Sequence, residues 1–404
     1  MSKLYFPGDQ LTPEISEAIA LPEADPFLSI VTDGFTNIDD VSPIACQAAN
    51  CTITLRRLIK YFRSLKEGEV VKKWASASSL CVIPRAGEQL NAYYSRGGIR
   101  YYFSKLNDIT IYLVDSQDVV AHEMGHALLD AIRPDLWDAG NVEIVSIHEA
   151  FADITALVSA SLSSVIREKT LEETNANLQT SNQLSRIADY IGNVFYQTQN
   201  DATRKPTDPL RDLAIPFHYV SPSTLPLKAK YIGLAAEPHS FSKIFSSFWY
   251  RVFTEIYNDT SKTNSFESAL ITARDICYRA LIKSLKKTKG SLCFVEAVAF
   301  NFVLELGEHS ALAKNLFLQW DFKEQPIFNS LAISAEIEYI IPSQHRLLAS
   351  SENPFLRSAV EIHNFGMRGT SETVIDEAIL AAEVANIEPD KWNVIEGKLR
   401  RIAI

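Results

Sequence analysis

Two histidines four residues apart, with a glutamate directly after the first, stand in an apolar run: Asp118-Val119-Val120-Ala121-His122-Glu123-Met124-Gly125-His126-Ala127-Leu128-Leu129. The spacing of its apolar residues predicts a helix that stops before Pro134. On a helix, positions i and i+4 project from one face, one turn apart. Both imidazoles can therefore reach a single metal ion. Glu123 lies beside that ion, where it can take a proton from a metal-bound water. The ordinary alternative is a helix with two surface histidines and a salt-bridging glutamate, and such a motif arises by chance in about one chain in a hundred of this composition.

A second helix is predicted downstream, over Val145-Ser146-Ile147-His148-Glu149-Ala150-Phe151-Ala152-Asp153-Ile154-Thr155-Ala156-Leu157. Ile147, Ala150, Phe151, Ile154 and Leu157 fall at core-facing spacing. Glu149 and Asp153 share a face. A catalytic zinc site takes three protein ligands and leaves a fourth position open, and His122, His126 and Glu149 supply three. Asp153, one turn on, can accept the N–H of a ligand histidine and fix its tautomer. Both acids also read as ordinary helix-face carboxylates. His148 is a competing ligand, but helix neighbours point about 100° apart, which ranks it below Glu149.

An H-E-x-x-H helix followed by a Glu-Ala-x-x-Asp helix resembles the gluzincins, and within them the thermolysin-like metallopeptidases. The resemblance implies an α+β, zincin-type fold. A mixed, strand-bearing N-terminal lobe and a mainly helical C-terminal lobe would hold the zinc site in the cleft between them. It implies one catalytic Zn2+ on His122, His126 and Glu149, Glu123 as general base, and Asp153 bracing a ligand from outside. The metzincin pattern fails, because neither its glycine nor its third histidine follows His126. The Gly-x-Met-Glu-Asn signature of zinc aminopeptidases is also missing.

Three further segments extend the resemblance. Asn91-Ala92-Tyr93-Tyr94, Ile99–Phe103 and Ile109–Val114 are aromatic and β-branched and read as strands. In the resembled family an Asn-Ala-aromatic-aromatic edge strand precedes the zinc helix and pairs with substrate backbone, which implies Asn91 and Ala92 as substrate-binding residues. Pro209-Leu210-Arg211-Asp212-Leu213-Ala214-Ile215-Pro216 looks like a Leu-Arg-x-x-x-x-Pro segment, whose arginine binds the substrate carbonyl and braces the pocket. That implies Arg211. Glu237-Pro238-His239-Ser240 opens a predicted helix from Phe241, and by the resemblance His239 is catalytic, donating to the oxyanion of the tetrahedral intermediate. Each segment has a plainer reading: an aromatic-rich strand, a surface arginine, a helix-capping histidine. Val119 and Leu210 match positions that line the pocket after the scissile bond, which implies a preference for an apolar residue there.

The chain also departs from the pattern. The aspartate that orients the oxyanion histidine is absent from Gly233-Leu234-Ala235-Ala236-Glu237, leaving Glu237 as its substitute. No tyrosine stands between the histidine pair and Glu149; Trp137 is there instead, with one indole N–H to donate. Asp118 falls where the family helps to bind structural calcium. The acids that would complete that site do not follow Asp153, so a family-type double calcium site is not expected, and Asp118 reads as an acidic residue of a first helical turn. The favoured function is zinc metalloendopeptidase, hydrolysing peptide bonds by Glu-assisted attack of zinc-bound water. The departures favour the alternative, a gluzincin-fold binding or regulatory protein of little or no activity. A hydrolase acting on something other than a peptide is a third reading.

The resemblance implies a peptide or protein substrate, and composition argues against other partners. A net charge of −10 gives no electrostatic basis for binding nucleic acid or anionic membranes. No apolar run approaches the roughly 18 residues that span a bilayer, and Met1 to Gln10 lacks a signal-peptide core. A cytoplasmic location is expected, with non-classical export left open. Five cysteines form neither a paired framework nor a C-x-x-C motif, which suits a reducing compartment. Cys46 and Cys51 are near enough to pair, although buried thiols fit them better.

In outline, residues 1–115 read as the N-terminal mixed lobe, with a helix over Ile53–Phe62. Residues 116–325 read as the helical catalytic lobe, with helices over Phe266–Leu285 and Phe294–Leu306. Within it, the polar stretch 168–208 reads as an insertion or lid carrying one helix near Ile187–Phe195. Residues 326–404 read as an extension, with a strand over Ile333–Ile341 and a helix over Val374–Ala385.

Overall fold

Short aromatic and β-branched runs ahead of residue 113 form strands, and longer apolar runs after it form helices. The structure, a computed structural model, describes residues 43–65, 74–75, 78–106, 109–137, 141–198, 202–289 and 293–323, together with short strands at 2–5, 17–20, 28–30, 392–395 and 398–401. Strands β1 (Ser2–Tyr5) and β2 (Glu17–Ala20) pair antiparallel. Strand β3 (Leu28–Ile30) is followed by helix α1 (Pro43–Ser64), then by β4 (Leu80–Ile83), β5 (Ala92–Ser95) and β6 (Gly98–Tyr101). These four strands make one sheet in the order β3-β4-β6-β5. Its β3-β4 and β4-β6 pairs are parallel and its β6-β5 pair is antiparallel. Among the described residues β5 is thus an outer strand, with one edge paired to no other strand. β7 (Phe103–Leu106) and β8 (Ile109–Tyr112) form a hairpin.

The helices follow: α2 (Gln117–Ile132), the short α3 (Pro134–Trp137), α4 (Val142–Ser161) and α5 (Ser164–Glu173). Strand β9 (Arg186–Ile187), helix α6 (Asp189–Thr198) and strand β10 (Arg211–Asp212) come next, with β9 and β10 paired antiparallel. Then come α7 (Pro238–Thr260), α8 (Phe266–Lys287), α9 (Phe294–Glu305) and α10 (Ser310–Gln319). β11 (Trp392–Ile395) and β12 (Lys398–Arg401) pair antiparallel. The main sheet precedes residue 113 and most of the helix follows it, with α1 between β3 and β4 and short strands among and after the later helices, an α+β mixture.

Helix starts follow capping chemistry. Ser116 accepts from Val119 N ahead of α2, and Asn141 accepts from Glu143 N at 2.7 Å ahead of α4. Glu237 accepts from His239 N and Ser240 N, with Pro238 in the first helical turn of α7. At its other end α2 stops at Ile132, one residue before Arg133 and Pro134, as the sequence predicts.

Helix α4 is the hub of the core: α2 packs on it from one side and α7 from another, and α8 joins α7 and α9. Nearly all of α4 is buried. By length and mean hydropathy alone α4 would pass for a membrane span. Its apolarity has a different cause, burial on every face inside this core. α2 approaches it closely because residue 125 is glycine; a Cβ there would lie 2.6 Å from Ala152 Cα. The α7 side contributes Phe241, Phe245, Phe248, Trp249 and Phe253, all buried. Burial of each such ring contributes about 1.5–3 kcal/mol.

Some boundaries differ from the sequence reading. The stretch 168–208 begins inside α5, whose mostly polar surface buries only Ile166 and Thr170. The helix near Ile187–Phe195 starts at Asp189, after Ile187 has paired as a strand with Arg211. The strand over Ile333–Ile341 and the helix over Val374–Ala385 lie outside the described residues. Cys51, weighed as a partner for Cys46, is a free buried thiol, as is Cys277.

Candidate metal centre

Helices α2 and α4 bring three ligating groups together. His122 and His126 lie one turn apart on α2, and their Nε2 atoms are 3.2 Å apart. Glu149 on α4 sets Oε2 at 3.4 Å from His122 Nε2 and Oε1 at 3.6 Å from His126 Nε2. A tetrahedral zinc with ligands at about 2.0–2.2 Å spaces its donor atoms by about 3.3–3.5 Å, so the triangle has the dimensions such an ion requires. All three residues are buried. Both oxygens of Glu149 lack a hydrogen-bond partner, because the three flanking imidazoles approach it without closing one. A buried carboxylate without donors is costly, and a cation between it and the imidazoles would satisfy it. These three residues could hold a metal ion.

The surrounding charges support that reading. Burial alone would push Glu149 up, but His239, His126 and His122 hold it well below the usual carboxylate range. Burial also pulls His126 down to about 3. For His122 the downward pull of burial is outweighed by its hydrogen bond to Asp153 and by the negative charges of Asp153 and Glu149, which raise it to about 10. His122 Nδ1–H donates to Asp153 Oδ1 at 2.9 Å. That bond fixes the tautomer and turns Nε2 toward Glu149. Arg211 in turn donates Nε–H to Asp153 Oδ2 at 2.6 Å and a terminal N–H to Oδ1 at 2.7 Å. A buried chain of contacts thus runs Arg211–Asp153–His122, and the arginine braces a ligand's support.

Glu123 points into the same cleft. Its Oε2 accepts the backbone N–H of Tyr94, on β5, at 2.8 Å. Burial lifts its carboxyl to about 7, with the negative charge of Glu149 adding to the effect and His122 and the Tyr94 amide opposing it. Tyr94 N–H points away from β6, toward α2. The alternation of an antiparallel ladder puts the main-chain groups of Ala92 on that same free edge. Asn91 and Ala92 both line the cleft.

His239 sits in the first turn of α7, rather than just before the helix, with Nε2 3.5 Å from Glu149 Oε1. Its Nδ1–H donates to Glu237, the residue the sequence leaves as substitute for a missing aspartate. Burial lowers His239, but Glu149 and Glu237 outweigh it and raise the ring to about 9. The cleft has a volume of about 350 Å³. Beside the polar groups it is lined by apolar side chains, including Val119 and Leu210, which the sequence points to, and Ile187, Ile191 and Phe195, which it does not.

Two residues weighed from sequence stand aside. His148 is buried edge-on to Trp137 and tilted against His126, outside the ligand triangle. Trp137 packs against Tyr94 and does not line the cleft. The residue that sequence reasoning missed is Asp130, two turns beyond Glu123 on α2. It accepts from Tyr94 Oη at 2.8 Å and pairs with Arg96 at 2.9 Å, clamping β5 along α2. Only its i+7 spacing from Glu123 hinted at a shared face.

No protein-family model matches the chain, and no curated protein matches it in sequence.

Proposed function

We propose that the chain is a zinc-dependent metalloendopeptidase of zincin-type fold. In this reading the strand-bearing part up to residue 115 and the helical part over 116–325 face each other across the cleft, and residues 326–404 form an extension. His122, His126 and Glu149 would hold the zinc. The single observation that carries the reading is the buried, donor-less carboxylate of Glu149 facing two Nε2 atoms, with Glu123 beside them in the same cleft.

When bound, zinc acts as a Lewis acid that polarises the scissile carbonyl and lowers the pKa of a water molecule. The rest falls to the protein. The free edge at Ala92, with Asn91, aligns an extended peptide by strand addition. Glu123 takes the proton of the attacking water and later delivers it to the leaving amine, a dual role suited to a carboxyl poised near neutrality. Tyr94 N–H holds one Glu123 oxygen, leaving the other for the proton. His239 Nε2–H donates to the carbonyl oxygen as negative charge develops there, with Glu237 anchoring the other ring nitrogen. Arg211 keeps Asp153 charged and aimed at His122, and reaches the cleft to meet the substrate carbonyl. Val119, Leu210, Ile187 and Ile191 give an apolar compartment for the residue after the scissile bond.

One observation favours a second reading, a binding or regulatory protein of little activity. Among the described residues no tyrosine lines the cleft to assist His239. The test is cleavage of a quenched-peptide library before and after stripping the protein with a zinc chelator. The peptidase reading expects cleavage to disappear with the metal and return with added zinc. Zinc binding without cleavage at any stage would favour the second reading.

A further inference from the structure

One wall of the cleft belongs to neither metal-bearing helix. It forms where the chain turns from β9 into α6, and Ile187, Ala188, Ile191 and Phe195 present it. Ala188 sits at the turn with φ 54°. That left-handed conformation penalises any residue with a Cβ, and it persists only where the surroundings hold it. Three ties do so. Leu210 N donates to Ile187 O at 3.0 Å. Arg186 pairs with Asp189 across the turn at 2.7 Å. Asp118 Oδ2 accepts the N–H of Ala188 itself, at 3.0 Å. Of these three ties, only the last runs to the metal-bearing helix. Asp118 is buried in the first turn of α2, one turn before His122, and lines the cleft.

We propose that Asp118 is a positioning residue for specificity. By holding the Ala188 amide it fixes the spacing between α2 and the α6 wall. That spacing sets the width of the apolar compartment beside the metal centre, and so the size of side chain admitted there. The specificity half of the inference rests on the peptidase reading; the holding of the wall does not.

The test has two arms. The first is amide hydrogen exchange on the metal-free, full-length protein and its Asp118→Ala and Asp118→Asn variants. In Asp118→Ala the amides of residues 187–195 should exchange about tenfold faster or more, while those of α4 stay protected. Asp118→Asn, whose amide oxygen still accepts, should stay near the parent. Adding Ala188→Gly to Asp118→Ala should restore part of the protection, because glycine adopts a positive φ freely. Should Asp118→Ala lose protection everywhere, Asp118→Ser keeps a polar first turn with too short a reach and gives the local reading. Unchanged exchange of 187–195 in these variants overturns the inference.

The second arm measures kcat and KM of the zinc-loaded protein on peptide pairs that differ only in Leu or Ala after the scissile bond. The expected result for Asp118→Ala is an about three- to tenfold fall in the Leu-over-Ala ratio of kcat/KM, carried mostly by KM. An equal loss for both peptides, carried by kcat, would overturn the specificity role. If the parent protein cleaves neither peptide, the peptidase reading fails, and the exchange arm still decides whether Asp118 holds the wall.

Discussion

Replacing Asp153 by Asn probes the site at the point where its support converges. Asp153 is fully buried; its Oδ1 accepts from His122 Nδ1 and Arg211, and its Oδ2 accepts from Arg211 Nε. An amide keeps one acceptor but turns an NH2 group toward donors and removes the charge opposite a buried guanidinium. Removing one partner of a buried ion pair costs about 3–5 kcal/mol, so urea unfolding of the metal-free variant should show a loss of about that size. Weakening the partner of a ligand histidine lowers metal affinity by about 10–100-fold, or about 1.4–2.7 kcal/mol, read by competition with a chelator of known zinc affinity. The double variant Asp153→Asn with Arg211→Met separates the two effects. Without the orphaned guanidinium, part of the stability should return, with a coupling of about 1–3 kcal/mol. The zinc affinity should stay low, because His122 still lacks a charged acceptor. Full stability and unchanged zinc affinity in Asp153→Asn would refute the view that this chain of contacts supports the metal ligands.

Other outcomes follow from the same geometry. His239→Ala should retain zinc and lose about 100–1,000-fold in kcat, measured by steady-state kinetics beside metal analysis. His122 in the metal-free site is raised to about 10, above its ordinary 6.5. Its protonation therefore stabilises the metal-free fold below that ordinary value, and the contribution is lost as pH climbs through about 10. Zinc must displace this proton, so uptake near neutrality should release at least one proton, and apparent affinity should rise about tenfold per pH unit up to about pH 10. Zinc titration in weakly buffered indicator solution reads this directly, and zero release would contradict it. Gly125→Ala should destabilise the fold by about 1–3 kcal/mol in urea unfolding, despite the better helix propensity of alanine, because the new methyl meets the α4 backbone.

The face that carries the candidate ligands was legible because its geometry is local. The i, i+4 spacing of His122 and His126 fixes their separation on any helix, and the spacing of Glu149 and Asp153 does the same on α4. The 100° rule also set His148 off the face on which Glu149 meets His122 and His126. The Glu237–His239 contact was within reach because both lie in one capping turn. What could not be read depends on pairing across long stretches of chain. Nothing local joins Tyr94 to Asp130, or Ala188 to Asp118, and the positive φ of Ala188 carries no glycine to announce it. The sheet order β3-β4-β6-β5 places β5 at an edge only because β6 lies between it and β4. Helix α4 shows a limit of composition, since burial on nearly every face makes a core helix as apolar as a membrane span.

The central claim is that Glu123 performs proton transfer at a metal held by His122, His126 and Glu149. Its most direct test is cleavage of a mixed quenched-peptide library by the protein and by Glu123→Gln, with bound zinc quantified in both. The account predicts about one zinc per chain in each protein, and cleavage by the parent that drops about 100–10,000-fold in the variant. Equal cleavage by both, or zinc absent from both, would contradict it.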